Sequence, residues 1–250
     1  MKSLLATAVF CAGFTVCAAT AAPDPDALLK KAFDNYRANS STGTVSMTIH
    51  RPDWERNMTL KSWTRGQDDA LVRFLAPAKD AGNATLKLAQ GTWVFNPKLN
   101  QVIKLPASMM AQSWMGSDFS YNDLAKSNEI LNDYTHRLTA TDTVGGHTVW
   151  SIECIPKPGA AVVWGKVVLR LRDDNVVVEE TYYDQDGKPA RRMIADKVGD
   201  ISGRAYPLVM TMHPLDTPDS WTRIETTAAS FNVAVPDYLF TLSSLQNPRE

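Results

Sequence analysis

The chain has 250 residues, and its 26 Lys and Arg nearly balance 27 Asp and Glu, leaving a formal net charge of −1. So even a balance gives no basis for nucleic-acid binding or for a basic patch that clings to an anionic membrane. Past the first residues no run reaches the ~20 apolar residues of a membrane-spanning helix, so the protein is not expected to span a membrane.

Met1-Lys2, the apolar run Leu4 to Val16 and the small-x-small triplet Ala19-Thr20-Ala21 have the three-part layout of a secretory signal peptide. Cleavage is expected after Ala21, because cleavage after Ala22 would leave Pro23 first. Val16 precedes Cys17 and Phe10 precedes Cys11, so neither cysteine has the small residue that lipid attachment requires before it. Residues 1–21 are read as signal peptide and residues 22–250 as one domain, since no linker or composition break divides them. Cys154 would then be the remaining cysteine, expected as a buried, inert thiol with no internal disulfide.

The first element is a helix over Asp24 to Asn39, with Asp and Pro at its start and Leu28, Leu29, Ala32, Phe33 and Tyr36 at helical spacing. Short alternating runs rich in β-formers follow: 44–49, 58–63, 69–74, 84–88, 92–95 and 101–105, separated by turn residues such as Gly66, Gly82 and Asn96-Pro97. Their close spacing predicts antiparallel meander pairing. Residues 106–133 break the pattern. Asp118 or Ser120 there is placed to cap a short helix through Tyr121, Leu124 and Ala125. Strands resume at 136–143, 147–155, 165–171, 176–183, 190–194, 207–212 and 221–226, with hairpin signals at Gly145-Gly146 and Asp186-Gly187. Pro236 to Phe240 reads as a closing helical turn.

Catalytic patterns are missing. The chain has no G-x-S-x-G, no H-E-x-x-H and no phosphate-binding loop, and His50, His136, His147 and His213 are scattered. Asp184-Gln-Asp186-Gly187 lacks the later ligands of a calcium loop and reads as a turn. No catalytic residue, metal site or cofactor is therefore assigned. The unusual feature is soft and apolar: Met109, Met110, Trp114 and Met115 crowd the irregular block beside Phe119 and Tyr121. Met is flexible and polarisable, which suits surfaces that adapt to varied apolar ligands. On the strands, Met58 pairs with Leu60, Leu86 with Leu88, and Trp93 with Phe95 on common faces. With Phe74, these residues are the expected ligand-binding set, the alternative being an ordinary core.

Leu71-Val-Arg-Phe-Leu-Ala-Pro77, Gly91-Thr-Trp-Val-Phe-Asn-Pro97, Asn100-Gln-Val102 and Met115-Gly-Ser-Asp-Phe-Ser-Tyr121 together resemble the outer-membrane lipoprotein-sorting, LolA-like family. The resemblance covers most of the chain after the signal peptide. It implies a mainly β fold: one strongly curved antiparallel sheet, a half-open barrel, covered by helices and a lid loop. It further implies a non-enzymatic carrier in the periplasm of a Gram-negative bacterium. The cargo would be lipid or lipoprotein acyl chains, passed between an inner-membrane RND-type exporter and an outer-membrane acceptor. Arg73 matches the family's arginine that holds the lid closed, its alternative being a surface arginine at a strand edge. Gly116, Ser117 and Asp118 would form the lid's joint. Two rival functions stay open: an accessory or regulatory partner of an envelope transporter, and a lipid hydrolase using Ser117. Residues 156–200 exceed the compact carriers of the family and have no assigned role.

Overall fold

The computed structural model describes residues 22–125 and 128–249. The predicted signal peptide and Lys126 lie outside the described residues. Helix α1 (Pro25–Arg37) forms where expected. The Asp24 carboxylate caps it, accepting from the Asp26 amide at 3.1 Å, and Pro25 occupies the first turn, where an amide would have no partner. Arg37 sits in the last turn, at the negative end of the helix dipole.

One antiparallel sheet of thirteen strands makes up most of the rest. Its first meander holds β1 (Ser40–Arg51), β2 (Trp54–Arg65), β3 (Asp69–Ala76), β4 (Ala84–Leu88), β5 (Gly91–Asn96) and β6 (Gln101–Lys104). The second holds β7 (Tyr134–Val144), β8 (His147–Pro156), β9 (Lys166–Arg172), β10 (Val177–Tyr183), β11 (Pro189–Ile201), β12 (Arg204–Pro214) and β13 (Trp221–Phe231). Every strand run read from the sequence is present. β11 extends past the expected 190–194, and irregular register against β12 between Ala195 and Val198 lets it continue where strict alternation fails.

The two meanders join through β1 and β13, which pair antiparallel with Met47 opposite Ile224. β6 and β7 therefore end up at opposite edges of the sheet, although they follow one another in sequence. Residues 105–133 have to run from one edge to the other. This strap carries a 3-10 turn (Ala107–Met109), helix α2 (Tyr121–Ala125) and helix α3 (Glu129–Asp133). The chain closes with a 3-10 turn (Asp237–Phe240) and helix α4 (Leu242–Gln246). Among the described residues no helix is long and apolar enough to cross a membrane.

Three apolar clusters hold these layers together. Leu28, Leu29 and Ala32 of α1 pack on Ile152, Cys154, Val167 and Leu169 of β8 and β9. Met47, Ile49, Met58, Leu60 and Phe74 pack with Trp114 of the strap on the same, inner face of the sheet. Leu71, Leu86 and Phe95 lie on the opposite, outer face under Leu239, Phe240 and Leu245. Each fully buried side chain of this kind contributes roughly 1.5–3 kcal/mol. Cys154 is fully buried, as expected, and its burial raises the thiol pKa, leaving it unreactive.

Candidate functional site

The inner face, α1 and the strap border a cavity of 410 Å³. That volume lies within the range of small-molecule pockets, about 300–1,000 Å³. Its wall takes Val45, Met47, Leu60 and Val72 from the first meander and Met193, Met210, Met212 and Ile224 from the second. Residues from both halves of one open sheet line the same space, so the sheet is curved into a half-barrel. Phe33 and Tyr36 of α1 and Trp114, Phe119 and Leu124 of the strap cover the mouth.

The strap is folded tightly where it covers the cavity. Met115 and Gly116 both take positive φ, 55° and 81°, and the Ser117 amide donates to the Trp114 carbonyl at 3.0 Å, closing a two-residue turn. The Trp114 amide then donates to Phe119 at 2.7 Å, and Ser113 bridges Ser120, giving a miniature hairpin. Ser120 caps α2. Its amide and hydroxyl both donate to the Asp123 carboxylate, at 2.7 and 2.9 Å, the mutual arrangement of a capping box. The Trp114 ring is 5% exposed, lies 5.3 Å from the Phe74 ring, and donates from Nε1 to Thr85 at 3.1 Å.

Three arginines of the sheet reach the strap. Arg51 of β1 makes a two-pronged contact with the Asp118 carboxylate at 2.8 and 3.1 Å and also donates to the Gly116 carbonyl. Thr222 of β13 donates to the same carboxylate at 2.6 Å and accepts from the Asp118 amide. Arg56 of β2 donates to the Met115 carbonyl while paired with Asp80. Arg191 of β11 makes a two-pronged contact with Asp123 at 2.5 and 2.8 Å and donates to the Asp118 carbonyl. Its guanidinium lies between the rings of Trp164 and Tyr182, 4.5 and 4.4 Å from their centres.

Part of the cavity wall is polar. Tyr36 stacks on Tyr206 with ring centres 5.3 Å apart and planes 6° from parallel. Glu180 of β10 accepts a short hydrogen bond from the Tyr182 hydroxyl. Burial raises the Glu180 carboxyl above its ordinary pKa, while the Tyr182 hydroxyl and Arg191 pull it down. Burial likewise raises the phenols of Tyr36, Tyr182 and Tyr206.

The residues expected to bind ligand fall into four places. Leu60, Trp114 and Phe119 are in the cavity wall. Met58 and Phe74 are in the inner cluster beside it, with Met115 and Tyr121 packed against that cluster. Leu86 and Phe95, with the partly buried Leu88 and Trp93, pack under the C-terminal segment on the outer face. Met109 and Met110 are half-buried in the strap outside the wall. Arg73 is also on the outer face, donating to the Ser244 carbonyl at 2.7 Å and Leu245 at 3.3 Å, so it secures α4 and not the strap.

At the expected joint, Gly116 supplies the turn and Asp118 the anchor to the sheet. The Ser117 hydroxyl is buried and bonds to the carbonyl of Trp114 and the amide of Phe119. Ser117, in other words, closes the turn through backbone contacts. Elsewhere His147, Asp173 and Asp174 bring three ligand-type atoms within 4.8 Å of one another. Arg172 already joins that group, 2.7 Å from the His147 ring and 2.6 Å from Asp174.

Sequence reasoning missed Arg51, Arg56, Asp123 and Arg191, the methionines on β1, β11 and β12, and the polar groups around Glu180. The Ser120–Asp123 spacing was a usable signal. The arginine contacts were not, because Arg191 lies 68 residues from Asp123 and Arg51 lies 67 from Asp118.

Known structures share the architecture. A DUF1329 family protein from Desulfovibrio piger matches with a TM-score of 0.80 and 22% identity over 89% of this chain and 100% of its own. An outer membrane lipoprotein-sorting protein domain from Vibrio parahaemolyticus matches at 0.77 and 18% identity, covering 89% of this chain and 98% of its own. A LolA superfamily protein from Nitrosomonas europaea matches at 0.73 and 20% identity, with 89% and 99% covered. In sequence, a family model described as “-like: Uncharacterized protein” matches residues 66–247. The chain belongs to that family, and its fold is LolA-like. No curated protein matches it in sequence. The family match spans the strap and most of the LolA-like sheet, from the β2–β3 turn to α4.

Proposed function

We propose that the protein is a non-enzymatic periplasmic carrier. Residues 22–250 would form one binding domain that takes lipid or lipoprotein acyl chains from an inner-membrane RND-type exporter to an outer-membrane acceptor. The observation that carries this reading is the Met-lined cavity of 410 Å³ closed by a strap. Sheltering a chain of about fourteen methylenes is worth on the order of 10 kcal/mol at ~0.8 kcal/mol each. A carrier without an energy source has to release what it binds, so its cover should open without unfolding the sheet. Contacts from Arg51, Arg56 and Arg191 suit that need, because polar contacts exchange with water at small net cost.

Two experiments test the reading. Native mass spectrometry of protein purified from its own periplasm should find a bound amphiphile, and a fluorescent acyl probe should bind and be displaced by it. Protein that carries no amphiphile and ignores the probe would sink the carrier reading in favour of an accessory role at a transporter.

A further inference from the structure

The polar part of the cavity wall around Glu180 speaks to the chemistry of the cargo's head, an inference that rests on the carrier reading. Glu180 accepts from Tyr182 through Oε2, and its other oxygen, Oε1, accepts no hydrogen bond among the described residues. Glu180 is part of the cavity wall, as are the stacked Tyr36 and Tyr206. Tyr36 is part of the wall and keeps 47% of its surface accessible, so its ring is open to contact. The charged groups of the wall are acidic on balance: Asp123, Glu129 and Glu180 against Arg37. Arg37 is committed to the carbonyls of Gly66 and Asp69, at 2.8 and 2.9 Å. Asp123 is held by Arg191, and Glu129 accepts from the Asn122 side chain at 3.2 Å, whereas Glu180 keeps Oε1 as an open acceptor.

We infer that the cavity takes an amphiphile with an uncharged, hydroxyl-bearing head, seated against Glu180 and the Tyr36–Tyr206 pair, with its chain running toward Trp114 and Phe119. A hydroxyl both donates and accepts, so it satisfies Glu180 whether or not the carboxyl holds its proton. Arg37 is turned to backbone carbonyls and Arg191 is paired with Asp123, only its Nε lacking a hydrogen bond, so a carboxylate or phosphate head would meet an ionised Glu180 with little positive charge to offset it. Like charges at short range in a low-dielectric site repel strongly. The same polar wall would give residues 156–200 a role. Their strands β9 to β11 bring Glu180, Tyr182 and Arg191 to the cavity.

The test displaces a fluorescent acyl probe from the wild-type protein at neutral pH with three ligands of equal chain length: a monoacylglycerol, a fatty acid and a lysophosphatidic acid. The monoacylglycerol should compete at least roughly tenfold better than either acid, and Glu180→Gln should shrink that gap to about threefold or less. Equal competition by the acids, or a gap untouched by Glu180→Gln, overturns the inference while the carrier reading stands. If none of the three displaces the probe, both fall. Should Glu180→Gln not fold, isotope-filtered nuclear Overhauser contacts on the wild-type complex decide. Contacts from the glycerol protons to the Tyr36 and Tyr206 rings support the inference, and contacts to Trp114 and Phe119 alone overturn it.

Discussion

Asp118 ties the strap to two strands at once, through Arg51 of β1 and Thr222 of β13. Replacing it with Ala leaves a half-buried guanidinium without its acid, so Asp118→Ala should cost about 2 kcal/mol in a denaturant melt and speed release of an acyl probe. Unchanged release would mean that the strap is not the gate. Gly116 has open space where a Cβ would go, yet its φ of 81° disfavours any side chain. Gly116→Ala should therefore cost about 1 kcal/mol from backbone strain alone. Glu180 predicts a pH signature. Because burial raises its folded-state pKa above the ordinary 4.5, the folded protein holds a proton that the unfolded chain has lost. That contribution favours folding below about pH 4.5 and turns against it as pH rises through the raised value. Tyr36, Tyr182, Asp123 and Arg191 face the same carboxyl from α1, β10, the strap and β11, and all remain in Glu180→Gln. This variant should melt higher than wild type at about pH 8 and close to it at about pH 4. A variant that melts lower at pH 8 would show that the carboxylate is stabilised by its neighbours.

At the scale of elements, the alternation of side chains made the strands legible but did not say which face holds the cavity. On β3 and β4 both faces are covered, the inner by the strap and the outer by α4 and the turn before it, and Phe95 of β5 joins the outer cluster. Period-2 patterning reports only that two faces differ, so Leu86 and Phe95 looked as suited to ligand as Met58 and Leu60. Arg73 sits on the far side for the same reason: it is one residue out of step with Phe74. The two arginines separate cleanly by experiment. Arg73→Ala should lower stability by about 2 kcal/mol by freeing the carbonyls of α4, and leave probe release alone. Arg51→Ala should speed release. Arg73→Ala that speeds release instead would return it to the role first expected. Of the strap, the sequence disclosed the soft residues and the helix cap, because caps and turns are local. Its anchors come from β1, β2, β11 and β13, and contacts of that reach leave no periodic trace.

For the whole molecule, the seam between β1 and β13 closes two meanders into one sheet, joining the first strand to the last. Neither meander completes the cavity or covers its inner face alone, so thermal unfolding followed by calorimetry and tryptophan fluorescence should show one cooperative transition. Two separated transitions would mean that the halves are independent domains. Pairing ends so distant in sequence also places refolding in the slow range of high-contact-order β proteins, about milliseconds to seconds.

The strap has a mechanical consequence. Its ends are continuous with β6 and β7, the opposite margins of the sheet, so it spans the half-barrel as a string spans a bow. A bow cannot change its bend without changing the tension in its string. A bulkier guest that flattens the sheet would draw the strap taut, and unlatching Asp118 from Arg51 would let the margins spread. In a carrier, cargo size, sheet curvature and the grip of the cover would then be one coupled variable, readable as the distance between labels on β6 and β7.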